Sequence, residues 1–183
     1  MPRLPMLERH QVAETDQDIF GDGLYLHRLT LHSPTLARLS RRIGLYFRNE
    51  SALDPRLREL AILQVAHSSR SSYEYSHHLK IATACGVSAD DIAAISAGKP
   101  GATSGSDELT SQTLKAAREL SAGERISDET FASLRRLPDK ELIDLLFLIS
   151  FYCGFVRFTG ALNLEPEPEF QDILRAHPLE PGE

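Results

Sequence analysis

From Ser33 onward the apolar residues recur at three- and four-residue steps, the spacing of a helix face. Only a short stretch, Leu24 to Thr30, alternates as a strand would. The pattern predicts an all-α chain of roughly six to eight helices. Residues 1–32 hold prolines, Gly21, Gly23 and one short helix near Gln11 to Phe20, and read as an arm. Ser33-Pro34 is a cap and first-turn pair, with the serine oxygen set to accept free amide protons. The helix it opens turns Leu36, Leu39, Ile43, Tyr46 and Phe47 inward and leaves Arg38, Arg41, Arg42 and Arg48 mainly toward water.

The same grammar at Asp54-Pro55 opens a helix through about Ser69, apolar nearly all round and therefore central. A helix from Ser72 to Cys85 is stopped by Gly86, and Ser88 with Asp91 forms a capping box for a short helix through Ile95. Gly, Ser and Pro mark 96–106 as a loop, the most flexible place in the chain. Ser106 and Glu108 then open a helix closed by Gly123, and Ser127 caps a short one through about Arg136. The longest helix, Lys140 to about Leu162, is apolar on most sides and predicts a second core element. Residues 164–183 form an acidic, proline-rich tail with a turn or two near Gln171 to Arg175.

At 183 residues the chain suits a single domain, with its helical core over 33–163. Twenty Lys plus Arg against 26 Asp plus Glu leave a formal charge of −6, which offers no field for nucleic acid, and the Arg38, Arg41, Arg42 run reads as a solvated face. The stretch Leu142 to Phe158 is shorter than the ~20 apolar residues a membrane span needs and holds Asp144 and Arg157. The N-terminus lacks the apolar run of a secretory signal. Cys85 and Cys153 form neither a disulfide framework nor a CxxC pair, so a cytoplasmic location is expected. His27, His32 and His67 lack metal-ligand spacing, and no metal site is expected.

The segment Arg70 to Ala82 concentrates titratable groups. On a helix Ser71, Glu74, Tyr75, His78, Ala82 and Cys85 share one side, and Glu74 and His78, four apart, can interact directly. Burial would raise the Glu74 pKa while a charged His78 would lower it, a balance suited to proton transfer near neutrality. The alternative is an ordinary surface pair worth about 0.3 to 0.5 kcal/mol. His77 falls toward the other side with Tyr73 and Lys80 and reads as a surface residue or subunit contact. Arg157, inside the last apolar helix, reads equally as half of a core ion pair, with Glu59 or Asp144, or as a substrate anchor.

Arg58-Glu59-Leu60-Ala61-Ile62-Leu63, Ser71-Ser72-Tyr73-Glu74-Tyr75-Ser76-His77-His78, Ile81-Ala82 and Gly86-Val87-Ser88 resemble the core of the carboxymuconolactone decarboxylase family, which includes the alkylhydroperoxidase AhpD proteins. His32-Ser33-Pro34 resembles the family's entry helix, and Leu142 to Asn163 its final core helix. The spacing of 19 residues from Glu59 to His78 is the most specific element. The resemblance implies an AhpD-like helical domain that assembles as a homo-oligomer, trimer or hexamer.

The redox branch of that family uses a glutamate, a Cys-x-Tyr-Cys segment and a histidine as a relay feeding a thiolate. Glu59, Tyr73 and His78 match it, but the cysteine positions fall on Ser71 and Glu74, which cannot form a sulfenic acid or disulfide. Peroxidase activity is therefore disfavoured, and Cys85 reads as buried packing. The decarboxylase branch implies instead a cofactor-free site acting on a small carboxylated or carbonyl compound. There Glu74 and His78 move protons, Glu59 orients the histidine and Arg58 or Arg157 holds an anion, with Ser71, Tyr73 and Tyr75 beside the substrate. This chain is longer at both ends than the small decarboxylases, which points to a different substrate. A third possibility is a binding or assembly protein that keeps the scaffold without its chemistry.

Overall fold

A computed structural model of the chain describes residues 1–97 and 108–179. Most of the expected loop at 96–106, with the helix start at Ser106, and the last four residues lie outside the described residues. Among the described residues there are ten α-helices and no strand, more helices than the periodicity predicts. The surplus comes from the ends. The arm folds as α1, Gln17–Phe20, and α2, Tyr25–Thr30, the latter replacing the alternating piece, and the tail adds α10, Gln171–Ala176. Of these, α1 and α10 fall where a short helix is expected, near Gln11 to Phe20 and Gln171 to Arg175, and α2 is not expected; helices this short are held by tertiary contact.

The remaining elements are α3 (Pro34–Asn49), α4 (Pro55–Ser68), α5 (Ser72–Ala84), α6 (Ala89–Ser96), α7 (Glu108–Ser121), α8 (Asp128–Leu134) and α9 (Asp139–Ala161). Their starts follow elementary capping. Asp54 accepts from the Leu57 amide at 2.9 Å, Ser127 caps α8, and Ser88 and Asp91 form the reciprocal box of α6. Ser33 departs from expectation: Pro34 starts the helix, but the serine side chain makes no cap bond.

Every residue of α4 from Leu57 to Ala66 is buried, because α5, α7 and α9 surround it. Ala61, Ile62 and Val65 meet Ala116, Ala117, Leu145, Leu148 and Ile149 in the main core. By length and composition α9 could cross a membrane, and it is the one such helix among the described residues. Here it packs as a core helix on α4 and α7, and its Asp144 is satisfied by Tyr46 and Ser51 hydroxyls at 2.7–3.0 Å.

Two features place the chemistry. The α4–α5 connection is tight: Arg70 takes the left-handed φ of 51° and the Ser71 amide reaches back to the Ala66 carbonyl at 2.9 Å. The resulting hairpin sets Glu59 of α4 opposite His78 of α5. On α3 the inward face is rotated from the expected one. Ala37, Ser40, Arg41, Gly44, Leu45 and Arg48 line a cavity, whereas Leu36 and Leu39 are 50% and 61% exposed.

Candidate active site

Between α2, α3, α5 and α9 lies a cavity of about 320 Å³. From α5 it receives Tyr73, Glu74, His77, His78 and Ile81, so positions 74, 77, 78 and 81 form its helical stripe. Tyr152, Phe151 and Phe155 of α9 form an aromatic wall, and the edge of Tyr152 and His78 meet at a centroid distance of 5.2 Å with near-perpendicular planes.

His78 is held from behind. Its Nδ1–H donates to Glu59 Oε2 at 2.7 Å, while Arg58 Nε donates to Glu59 Oε1 at 2.8 Å. The carboxylate thus has a partner on each oxygen although Glu59 is only 2% exposed. Burial alone would raise its pKa, but hydrogen bonding and charge attraction from His78 and Arg58 outweigh it and hold the group below the ordinary glutamate range. With Nδ1 committed to Glu59, Nε2 is directed toward Glu74, whose Oε2 lies 3.7 Å away.

Glu74 has the opposite surroundings. It is 4% exposed, and its Oε1 is buried without a hydrogen-bond partner. Burial raises its pKa, with Glu167 adding to the rise and His78 and His77 opposing it. Two carboxyls thus flank one imidazole, Glu59 ionised by its partners and Glu74 biased toward the acid form. Neutral His78 with protonated Glu74, and imidazolium with Glu74 carboxylate, differ only by the position of one proton.

Two cations meet the cavity from α3. Arg41 has Asp18 as a distant partner at 3.7 Å, and Arg48 has no ion-pair partner among the described residues. On the arm, His27 lines the same space; burial, followed by the charge of Arg41, lowers its pKa.

Of the residues singled out from sequence, the structure brings Glu59, Glu74, His78 and Tyr73 together. The others lie elsewhere. Arg58 is turned away from the cavity, spent on Glu59, on the Phe47 carbonyl at 3.1 Å and on Cys85 Sγ at 3.5 Å. Arg157 is exposed and donates to the carbonyls of Cys153 and Ser121, so it is neither a core ion pair nor a cavity anchor. Tyr75 is fully buried on the opposite face of α5, its hydroxyl 3.0 Å from Ser96 Oγ. Ser71 caps α5 through the Glu74 amide at 3.5 Å. The expected stripe of 71, 74, 75, 78, 82 and 85 therefore splits, with Tyr75 and Ala82 joining the core.

Sequence reasoning missed His27, Arg41, Arg48, His77 and Tyr152. The 74, 77, 78, 81 spacing was a readable signal for His77, and 37, 41, 44, 48 was one for the arginines. His27 and Tyr152 gave none, since they reach the cavity only through tertiary packing.

Residues 34–119 match the carboxymuconolactone decarboxylase family. No curated protein matches the sequence. Among solved structures the fold is similar to an AhpD-core protein from Ralstonia eutropha JMP134, described as an uncharacterized peroxidase-related protein. The TM-score is 0.77 at 16% identity, over 92% of this chain and 94% of that one. At that identity the likeness is one of fold.

Proposed function

Because residues 34–119 match the carboxymuconolactone decarboxylase family and the chain folds as an AhpD-like helical domain, we propose that it is an acid–base enzyme of that family. In this reading it is a cofactor-independent decarboxylase or other lyase, or an isomerase, acting on a small carboxylated or carbonyl compound. The observation that carries the proposal is the Glu59–His78–Glu74 array ending on a cavity of about 320 Å³ beside Arg41 and Arg48.

The roles follow from the environments. Glu59 fixes the His78 tautomer and stabilises the imidazolium when Nε2 takes a proton. Glu74, kept as an acid by burial, supplies a proton to a carbon or oxygen of the substrate. Arg41 and Arg48 take the anchoring role that Arg58 and Arg157 are not placed to fill, binding the substrate carboxylate and the charge that develops as CO2 leaves or an enolate forms. The aromatic wall excludes water, which strengthens each of these interactions.

The peroxidase reading is disfavoured by sulfur placement. Ser71 and Glu74 occupy the positions of the redox cysteines, while Cys85 borders Arg58 and Cys153 is buried near Ser121. A homo-oligomer belongs to the same proposal. Ile143 and Phe147, both more than half exposed, border a groove of about 390 Å³ with Ile43, Tyr46 and Phe47, an apolar face suited to a second copy.

The test is turnover of a panel of small 3-oxo acids and lactone carboxylates in D2O, read as CO2 release and as deuterium incorporation. Activity lost in both His78→Ala and Glu74→Gln, with the helical circular-dichroism signal retained, is the expected result. Full activity in either variant contradicts the assignment.

A further inference from the structure

His78 is not the one imidazole in this cavity that a buried carboxylate holds. The adjacent residue, His77, lines the same space, and its Nε2 lies 2.7 Å from Glu167 Oε2. Glu167 belongs to the C-terminal segment, beyond the family-matched residues 34–119, and is only 3% exposed. Its other oxygen accepts from the Tyr25 amide at 2.7 Å and from the Tyr73 hydroxyl at 3.2 Å. The His77 ring is clamped between Tyr73 and Phe170, with centroids at 4.4 and 3.9 Å and near-parallel planes. An ordinary surface histidine needs neither a buried carboxylate nor two aromatic faces to fix its plane.

We propose that His77, oriented by Glu167, is a second proton-transfer group of this cavity, working on the other side of Glu74 from His78. The inference rests on the acid–base reading above. Glu167 accepts the Nε2 proton of His77, which leaves Nδ1 as the basic nitrogen. Glu167 is held as a carboxylate: burial raises its pKa, but the hydrogen bonds from His77 and the Tyr25 amide outweigh that and lower it. Glu74 feels the charge of both histidines, so the buried acid is coupled to two carboxylate-backed bases.

The chemistry this permits balances without an oxidant. A C–H or O–H proton of the ligand passes to Nδ1 of His77, and the bonding electron pair stays on the ligand as an enolate or alkoxide. Glu167 meets the charge of the imidazolium, and the arginines of α3 meet that of the ligand. The proton shared by Glu74 and His78 Nε2 is delivered at a second ligand atom. One proton enters the protein and one leaves it, which is the requirement of an isomerisation by two acid–base groups.

The experiment is a 15N NMR titration of the histidine rings in the full chain, with 4-hydroxybenzoate as probe because it offers a carboxylate to the arginines and a hydroxyl proton to a base. The groups that bear on the His77 titration are Glu74, His78, Tyr73 and Lys80 of α5, His27 of α2, Arg41 of α3 and Glu167. The proposal expects Nδ1 of His77 to be the bare nitrogen in the free protein and its signal to move toward the protonated position with the probe, alongside a response at His78. Glu167→Gln should loosen the hold on the Nε2 proton of His77, so that its Nδ1 signal in the free protein moves away from the bare-nitrogen position, and leave the His78 signals in place. A response at His78 alone overturns this inference and leaves the acid–base reading standing; silence at both rings removes the reading as well. Because Glu167 also ties α2 to α5, the wild-type titration decides the matter even if the variant does not fold.

Discussion

The two sides of this molecule are built on opposite terms. Around α4, α7 and α9 the interior is mostly apolar: its buried Asp144 is met by hydroxyls, and its two orphaned atoms among the described residues, Gln112 Oε1 and Thr113 Oγ1 of α7, are neutral. Across α5, toward α2 and α3, the interior holds Glu59, Glu74 and His78, each less than 10% exposed, and one carboxyl oxygen with no partner. Burying such groups costs several kcal/mol unless they are paired, and an orphaned oxygen about 1–3 kcal/mol. A helix could satisfy that face far more cheaply with leucines. The apolar side supplies the stability that lets the polar side hold its groups out of water, where their protonation states are set by one another.

If that division holds, substitutions on the two sides should separate stability from chemistry. His78→Ala should have the largest effect on rate, reducing turnover by about 10²–10⁴-fold, the usual contribution of a positioned acid–base group, read below a melting temperature that the loss of Glu59's partner lowers. Glu59→Gln should be the most destabilising change, by about 3–5 kcal/mol, because it leaves Arg58 buried and unmatched. The sign of its pH dependence is fixed. Glu59 has a folded pKa below the ordinary glutamate value of about 4.5, so its stabilising contribution is present above that pH and disappears as pH falls through the folded pKa. Chemical denaturation of wild type and variant at pH 7 and pH 3 should therefore show the difference shrinking in acid.

On the apolar side Leu145→Ala should cost about 2–5 kcal/mol by the same measurement and leave the histidine ring signals unchanged. Changed ring signals would mean that the two sides are coupled. Arg48→Ala should weaken binding of a small carboxylate by roughly 10-fold or more, the loss of one charge-assisted hydrogen bond, read by calorimetry. Glu74→Gln should have the smallest effect on stability, and with the opposite sign from Glu59→Gln. Glu74 has a raised folded pKa, so wild type loses stability as pH climbs from 4.5 toward that value, and the variant should gain on wild type across that range.

The sequence carried the scaffold further than the site. Proline at the first turn of α3 and α4, the Ser88–Asp91 box and Gly86 mark helix ends through local chemistry that needs no tertiary information. Glu59 and His78 were legible because the family resemblance supplied their spacing and a tight hairpin brings them together. Arg58 and Arg157 were misjudged for a common reason: an arginine beside a glutamate, or inside an apolar run, cannot be assigned an orientation from spacing alone. Arg41 and Arg48 are exposed, as their spacing implied, but they also border the cavity, because Leu36 and Leu39 point outward instead of setting the inner face of α3. His77 and Glu167, 90 positions apart, meet only because the tail folds back over α5.

The central claim is that Glu74 is a buried acid sharing its proton with a carboxylate-backed His78. Glutamate side-chain 13C NMR of the full chain, assigned with Glu74→Gln, tests it most directly. The account expects the Glu74 carboxyl to titrate well above the ordinary glutamate range, in step with the Nε2 signal of His78, while Glu59 stays ionised throughout. A Glu74 carboxyl that titrates near 4.5, independently of His78, would contradict it.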